Sequence, residues 1–498
     1  MRSSMLNLLS FWRLNLHFFL VCTLKAMFLA FLVLIAPLQA GEDARLPTLG
    51  HSGSYEVSVH QEHWLGQAWL RQFRAQARLK HDPVTQYYLE DLLQGLATYN
   101  PALEIQQLDV LLVDQPRLNA FAVPGGVVGV NTGLWIFAVN EDEFVSVLAH
   151  ELAHISQRHF ARRLEASRNL QWSTMAGLLA GILVASQGHA DAGIATIATA
   201  QAANIQSQLA WSRSFEQEAD RVGMETLTAA GYSPHAMPRM FEHMQRLAQL
   251  SGRAPEFLMT HPLTQNRIAD AFSRADQSGE ADRVTHGLSY ELLRLRQVFA
   301  QYPQPEEAWS FLRRQTLSDA GRLYAQLLNT PDADAAEVLW QSLLEAEPEH
   351  LILQYLRIEW LMQQQRLETA ESLLEDWLRV MPDSASFLWL QAELAQQKQD
   401  WDRARRTLQR LSQLRPRDPF IWFYLAEAAG MSDQRVLVHQ ARAEYFQLTG
   451  RLSQAANQME LAMSTAQTEQ APWARIAALR ERQRELQSLR ERLEQTGF

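Results

Sequence analysis

The chain has 498 residues and a single cysteine, Cys22, which lies in an apolar N-terminal segment. Beyond that segment there is no thiol, so disulfides, cysteine nucleophiles and thiolate metal ligands are excluded there. This suits an oxidising export compartment, where a free thiol is a liability. A basic excess is also missing: 45 Lys and Arg face 55 Asp and Glu, for a formal charge of −10. That argues against a nucleic-acid partner. At 47% hydrophobic residues, the chain is ordinary for a globular protein and too polar for a polytopic membrane protein.

The first forty residues contain no acid. They carry Arg2, Arg13 and Lys25, then an apolar run from Ala26 to Ala36 and Pro37-Leu38-Gln39-Ala40. The pattern reads as a secretory signal, residues 1–40, cleaved after Ala40. An uncleaved anchor is the alternative, because Leu14 to Leu38 is long enough to span a bilayer. Val21 precedes Cys22 where a lipoprotein cysteine would have a small residue.

Helical periodicity runs from Trp64 to Asn100, and Leu103 to Val113 alternates like a strand. Gly125 to Val130 is short, Gly-rich and β-branched, as in a strand that approaches another backbone closely. Glu141 to Glu165 reads as one uninterrupted helix, and a second charged helix is predicted to begin near Phe215. Met175 to Ala185 is too short to cross a bilayer, and Gly188-His189-Ala190-Asp191 interrupts it. It reads as a buried helical hairpin or as a membrane-touching flap.

After about residue 300 an internal repeat appears. Pro348, Pro382 and Pro416 recur every 34 residues, as do Ala336, Ala370 and Ala404. A 34-residue period of paired helices is that of tetratricopeptide repeats, which stack into a superhelix with a concave binding surface. The period is predicted to fade after about Pro419, and Arg475 to Gln495 reads as a charged, solvated cap helix. The expected architecture is mainly α: an α+β zincin-like protease domain with a small sheet over 41–295, then an α-solenoid of repeats over 300–498.

The chemistry centres on His150-Glu151-Leu152-Ala153-His154. Residues four apart share a helix face, so His150 and His154 can hold one metal ion while Glu151 polarises a metal-bound water. Two metal-free core histidines are the alternative. A catalytic zinc commonly takes three protein ligands and keeps one position open. The metzincin pattern would need Gly and His where Gln157 and Phe160 stand, and His159 is one place out of register. Glu165 is about 16 Å along a continuous helix from His154, too far to share the ion. The acids of Ser214-Phe215-Glu216-Gln217-Glu218-Ala219-Asp220 remain. On a helix Glu216 and Asp220 share a face: Glu216 is the expected third ligand, Asp220 a carboxylate orienting a ligand histidine, and Glu218 a solvent-facing charge. His189, His235 and His243 read as structural or surface residues.

HExxH followed at a distance by Glu-x-x-Ala-Asp resembles the peptidase family of the HtpX heat-shock protease and the CaaX prenyl endopeptidase. Asn119-Ala120-Phe121-Ala122-Val123-Pro124-Gly125-Gly126 resembles that family's segment before the metal helix. The resemblance implies a sheet edge there for an extended substrate, with Val127 to Asn131 supplying the backbone groups. With Thr260-His261-Pro262-Leu263, Arg267, the signal and the repeats included, the likeness extends over nearly the whole mature chain. It is similar to the soluble exported branch of the β-barrel assembly-enhancing protease type. His261 has three readings: a displaceable fourth ligand that keeps the enzyme latent, an oxyanion donor, or a loop histidine capping the next helix.

The expected activity is zinc-dependent endoproteolysis in the periplasm, with one Zn2+ per chain. The resemblance implies unfolded or misassembled outer-membrane proteins as substrates. It also implies the barrel-assembly machinery and the lipopolysaccharide-export barrel as partners, and peripheral membrane contact is left open. The competing reading is a chaperone-like repeat scaffold whose protease site is latent.

Overall fold

A computed structural model describes residues 57–103, 108–166, 205–252, 254–278, 287–313 and 315–496. The signal-or-anchor segment and the hairpin-or-flap segment lie outside the described residues. The single periodic stretch expected from Trp64 to Asn100 forms two helices, α1 (Val59–Gln76) and α2 (Pro83–Ala97). Pro83 explains the division: it has no N–H to continue a helix and suits the first position of a new one. Ser58 and Gln61 close a capping box at the start of α1, satisfying two backbone donors.

Three short strands follow: β1 (Asp109–Val113), β2 (Ala120–Val123) and β3 (Val127–Asn131). Their order is β1-β3-β2, with β3 parallel to β1 and antiparallel to β2. This corrects the expectation that Val127 to Asn131 offers free backbone groups. β3 is paired on both sides, and β2 is the edge. Helix α1 lies directly on the β2–β3 turn. A Cβ on Gly66 would sit 2.0 Å from the Pro124 carbonyl oxygen, and Gly125 has φ +80. Both positions therefore require glycine.

After α3 (Thr132–Phe137) comes α4 (Glu141–Ser156). Asn140 caps it by accepting the Glu143 amide at 2.9 Å. Leu148, Ala149, Leu152 and Ala153 are fully buried. The single helix expected to Glu165 breaks after Ser156: Arg158 adopts φ 51, and α5 (His159–Ala166) starts in a new direction. The Arg158 guanidinium, donating to Glu62 at 2.8 Å and to the Val57 carbonyl, holds this left-handed turn from outside. Helix α6 (Ile205–Ala229) begins earlier than the expected Phe215. It crosses α4 closely, since a Cβ on Gly223 would lie 3.1 Å from His150 Cα. Helices α7 (Ala236–Ser251), α8 (Glu256–Thr260) and α9 (Gln265–Ser278) complete this part.

Helix α10 (Gly287–Gln301) faces two ways. Tyr290 Oη and Arg294 Nε donate to the Ala138 carbonyl at 2.9 and 2.8 Å, and Arg294 Nη2 donates to Ile136 at 3.0 Å. These groups satisfy carbonyls at the end of α3 that no further turn could reach. Arg296 bridges Asp82 and Glu359. Helices α11 (Pro305–Leu312) and α12 (Asp319–Leu328) follow. Then come pairs beginning at 34-residue steps: α13 (Ala333–Ala346) with α14 (Leu351–Gln363), α15 (Leu367–Val380) with α16 (Ala385–Gln397), and α17 (Trp401–Leu414) with α18 (Pro419–Met431). Ala336, Ala370 and Ala404 are buried where the helices meet. Gln365, Gln399 and Asp433 make left-handed turns at the same step.

The period continues past Pro419, against expectation, into α19 (Arg435–Leu448) and α20 (Leu452–Thr468). It fades in the sequence because Val438 and Gly450 stand where the fourth Ala and Pro are due. The last helix, α21 (Trp473–Thr496), is not wholly solvated, since Leu479, Leu486 and Leu493 form a buried stripe.

Glu393, on α16, accepts from Trp389 Nε1 at 2.8 Å. Burial raises its carboxyl from 4.5 to about 7. The unfolded chain loses this proton near 4.5 and the folded chain only near 7. Stability is therefore full below pH 4.5, falls as pH rises towards 7, and stays reduced above it. Glu393→Gln is expected to gain roughly 2–3 kcal/mol at pH 8 and much less at pH 5, by urea unfolding. Equal gains at both pH values would contradict a buried ionising carboxyl.

Candidate active site

Helix α4 presents His150 and His154 one turn apart, with their Nε2 atoms 3.1 Å from each other. Helix α6 brings Glu216 against both: Oε2 is 3.4 Å from His150 Nε2, and Oε1 is 3.6 Å from His154 Nε2. His261, just after α8, closes the group with Nδ1 3.3 Å from His150 Nε2 and 3.1 Å from Glu216 Oε2. One donor atom from each of the four lies within 4.8 Å of the others. Helix α8 is held by the Phe257 amide on the Leu118 carbonyl at 3.3 Å and by Asn119 Nδ2 donating to Glu256 at 3.1 Å. Phe257 stacks on His261 at 4.6 Å.

Behind His150, Asp220 Oδ1 lies 3.0 Å from Nδ1. Arg267 grips Asp220 with two 2.7 Å hydrogen bonds, donates to the Pro262 carbonyl at 2.9 Å, and lies 3.2 Å from Glu216. Burial opposes charge on His150, yet Asp220 and Glu216 raise it to about 9. For His154 burial dominates and keeps the ring neutral, well below the usual range. Glu216 resists its own burial, because His261 and His154 hold its carboxyl well below the ordinary value.

Glu151 is 1% exposed, and neither carboxylate oxygen accepts a well-aligned hydrogen bond. His261 Nε2 lies 3.5 Å from Oε1. Burial pushes this carboxyl up, while His261 and His150 and the Ala122 amide of β2 oppose the shift. A buried carboxylate with no well-aligned hydrogen bond, beside three imidazoles and a second carboxylate, suits a divalent cation and its water. This oxygen- and nitrogen-only set fits zinc.

Glu218 corrects the sequence reading. It is only partly exposed and is paired inward: Oε2 lies 3.3 Å from His159 Nε2 and accepts from Arg162 Nη1 at 2.9 Å. His159, set aside for failing the metzincin register, packs against the site, with Nδ1 2.9 Å from His154 Nδ1. A helix break at Arg158 carries no sequence signal of the usual Gly or Pro kind, so this contact was not legible. His235 and His243 do pair with acids away from the donor cluster, Asp276 at 3.0 Å and Glu143 at 2.8 Å.

Residues 83–275 match the family model of peptidase family M48. The chain is 30% identical over 463 residues to the beta-barrel assembly-enhancing protease of Escherichia coli K12, covering 91% of this chain and 94% of that one. This chain belongs to peptidase family M48, in its beta-barrel assembly-enhancing protease branch. The Yersinia pestis protein of the same name is also 30% identical, over 86% of this chain and 91% of its own. A more distant relative is the mitochondrial metalloendopeptidase OMA1 of Arabidopsis thaliana, 27% identical over 43% of this chain and 37% of that protein. As a member of this family the chain is a metalloprotease, and the family implies a divalent metal.

Proposed function

We propose that the protein is a periplasmic zinc metalloendopeptidase acting on misfolded or stalled outer-membrane proteins, whose assembly it also assists. The observation that carries the reading is the convergence of His150, His154, Glu216 and His261 donor atoms around one point. In this reading His150, His154 and Glu216 hold the ion. When bound, zinc supplies Lewis acidity and a water acidified towards a pKa of about 7. Glu151 is the residue that would accept a proton from the attacking water and return it to the leaving amine. Asp220, braced by Arg267, fixes the ring of His150. The outer edge of β2, unpaired with any other strand among the described residues and lying beside Glu151 at Ala122, pairs with an extended substrate strand.

The division of labour follows the expected domains. Residues 41–295 cleave, and the repeats of 300–498 hold clients or dock on the barrel-assembly machinery and the lipopolysaccharide-export barrel. The names of the relatives support a barrel-assembly role. A signal cleaved after Ala40 delivers the chain. No described helix is long and apolar enough to cross a membrane, so membrane contact is peripheral in this reading.

His261 supports a second state. Four donors leave no open position, as in structural rather than catalytic sites, and His261 is the donor carried on a short segment outside α4 and α6. In this reading it latches the site, and the chain then serves as a chaperone-like scaffold until His261 withdraws. Metal analysis should find about one zinc per chain, chelation should stop cleavage of an unfolded substrate, and zinc should restore it. With His261→Ala, proteolysis should rise several-fold, since the fourth position opens. Cleavage that survives full metal removal overturns the metallopeptidase reading, and equal or lower activity of His261→Ala overturns the latch.

A further inference from the structure

On the side of His154 turned away from the donor cluster sits a second buried group. His159 is 5% exposed, with Nδ1 2.9 Å from His154 Nδ1 and Nε2 3.3 Å from Glu218 Oε2. Arg162 Nη1 donates to the same Glu218 oxygen at 2.9 Å. Phe215 stacks on the His159 ring at 4.6 Å, 19° from parallel, and carries the Arg162 guanidinium over its face. None of these groups has a part in the chemistry described above.

The proton arrangement follows from the geometry. Two ring nitrogens 2.9 Å apart share one proton, so one donates and the other accepts. His154 turns Nε2 towards His150 and Glu216. Nε2 is therefore the nitrogen that would hold a metal there, which leaves the His154 proton on Nδ1. His159 Nδ1 then accepts, its own proton is on Nε2, and Nε2 faces Glu218. Glu218 in turn is held by Arg162. Each group has a role it can fill, and the reverse assignment would put a proton where the ion belongs.

We infer that His159 is a positioning residue that fixes the tautomer and ring plane of His154 for metal binding, with Glu218 and Arg162 as its support. This rests on the reading of His150, His154 and Glu216 as metal ligands. It gives the two ligand histidines matching braces: Asp220 and Arg267 behind His150, and His159, Glu218 and Arg162 behind His154. It also gives the break at Arg158 a purpose. Had α4 continued, His159 would lie about 140° around the helix from His154, unable to touch its ring. The left-handed turn brings it back.

The test uses the full-length protein stripped of metal and titrated with Zn2+ against a chromophoric chelator, and with Co2+ for its visible absorption. His159→Phe keeps an aromatic ring against Phe215 and removes the acceptor. Its zinc affinity is expected to fall about 10–100-fold, the usual cost of losing a partner of a ligand histidine, and its Co2+ bands should shift. His159→Asn places a carbonyl oxygen where Nδ1 stood and should recover most of the affinity and the parent spectrum. Melting of the metal-free forms separates this from misfolding, because the Phe and Asn variants should melt alike. The inference is overturned if His159→Phe binds zinc within about threefold of the parent, a change far below the usual loss, with an unchanged Co2+ spectrum. It is overturned equally if the Asn variant, melting like the Phe one, is just as weak. A parent that fails to bind zinc overturns the metal reading itself, a separate outcome.

Discussion

Glu151→Gln is expected to bind zinc as the parent does and to lose proteolysis by roughly 10²–10⁴-fold, the scale of a general base. The substitution keeps volume and shape at a position 1% exposed. It changes none of the four converging donors themselves, and its one close contact among them is His261 Nε2 at 3.5 Å, so the metal held by His150, His154 and Glu216 should be retained. What it removes is the buried carboxylate at the site that is assigned neither to the metal nor to the support of a ligand histidine, the group left to take a proton from a water and give it back. Because burial pushes the Glu151 carboxyl up, the native residue is a stronger base than a surface glutamate, and an amide offers no substitute. The check is cleavage of an unfolded protein at equal zinc content. A variant that cleaves as fast as the parent removes Glu151 from the mechanism.

Arg267→Met should be the most damaging change to stability among the charged residues of the site. Arg267 is 2% exposed, and it satisfies both oxygens of Asp220 and the Pro262 carbonyl. Methionine fills part of the space over Phe241, where the guanidinium lies 5.2 Å from the ring centre. It leaves the buried Asp220 carboxylate without its main counter-charge. Breaking one side of a buried ion pair costs about 3–5 kcal/mol. The Arg274–Asp270 pair on the same helix is a control, with side chains 42% and 45% exposed. Arg274→Met should cost about 0–1 kcal/mol. Urea unfolding compares the two, and similar losses would mean that Asp220 is not held as described. Because Asp220 backs His150, Arg267→Met should also weaken zinc binding, whereas the control should not.

The parts of the site legible in the sequence are those that follow from helix period alone. His150 with His154, and Glu216 with Asp220, are each one turn apart, and nothing but an unbroken helix is needed to place each pair on one face. The repeats were legible for the same reason, up to the point where Val438 and Gly450 replaced the marker residues. What escaped depends on contacts distant in the chain. Strand order is one case: β3 sits between β1 and β2, and nothing in Val127 to Asn131 says whether both its edges are taken. The turn at Arg158 is another, since its guanidinium is anchored on Glu62 and Val57, about a hundred residues earlier. His159 and Glu218 were misjudged because their partner is that turn.

Helix α10 has a consequence for how the molecule is made. Tyr290 and Arg294 supply the donors for the Ile136 and Ala138 carbonyls, and Tyr290 stacks on Trp135 beside Phe144 of α4. A growing chain has every candidate catalytic residue by His261, yet at that point the floor beneath α4 is still open. That floor closes only when α10 is synthesised, and α10 is in turn tied by Arg296 to Glu359 within the repeats. A chain truncated before residue 287 would carry all the chemistry on an unfinished support. Completion of the support beneath the metal helix is thereby expected only once the repeat half has begun to follow.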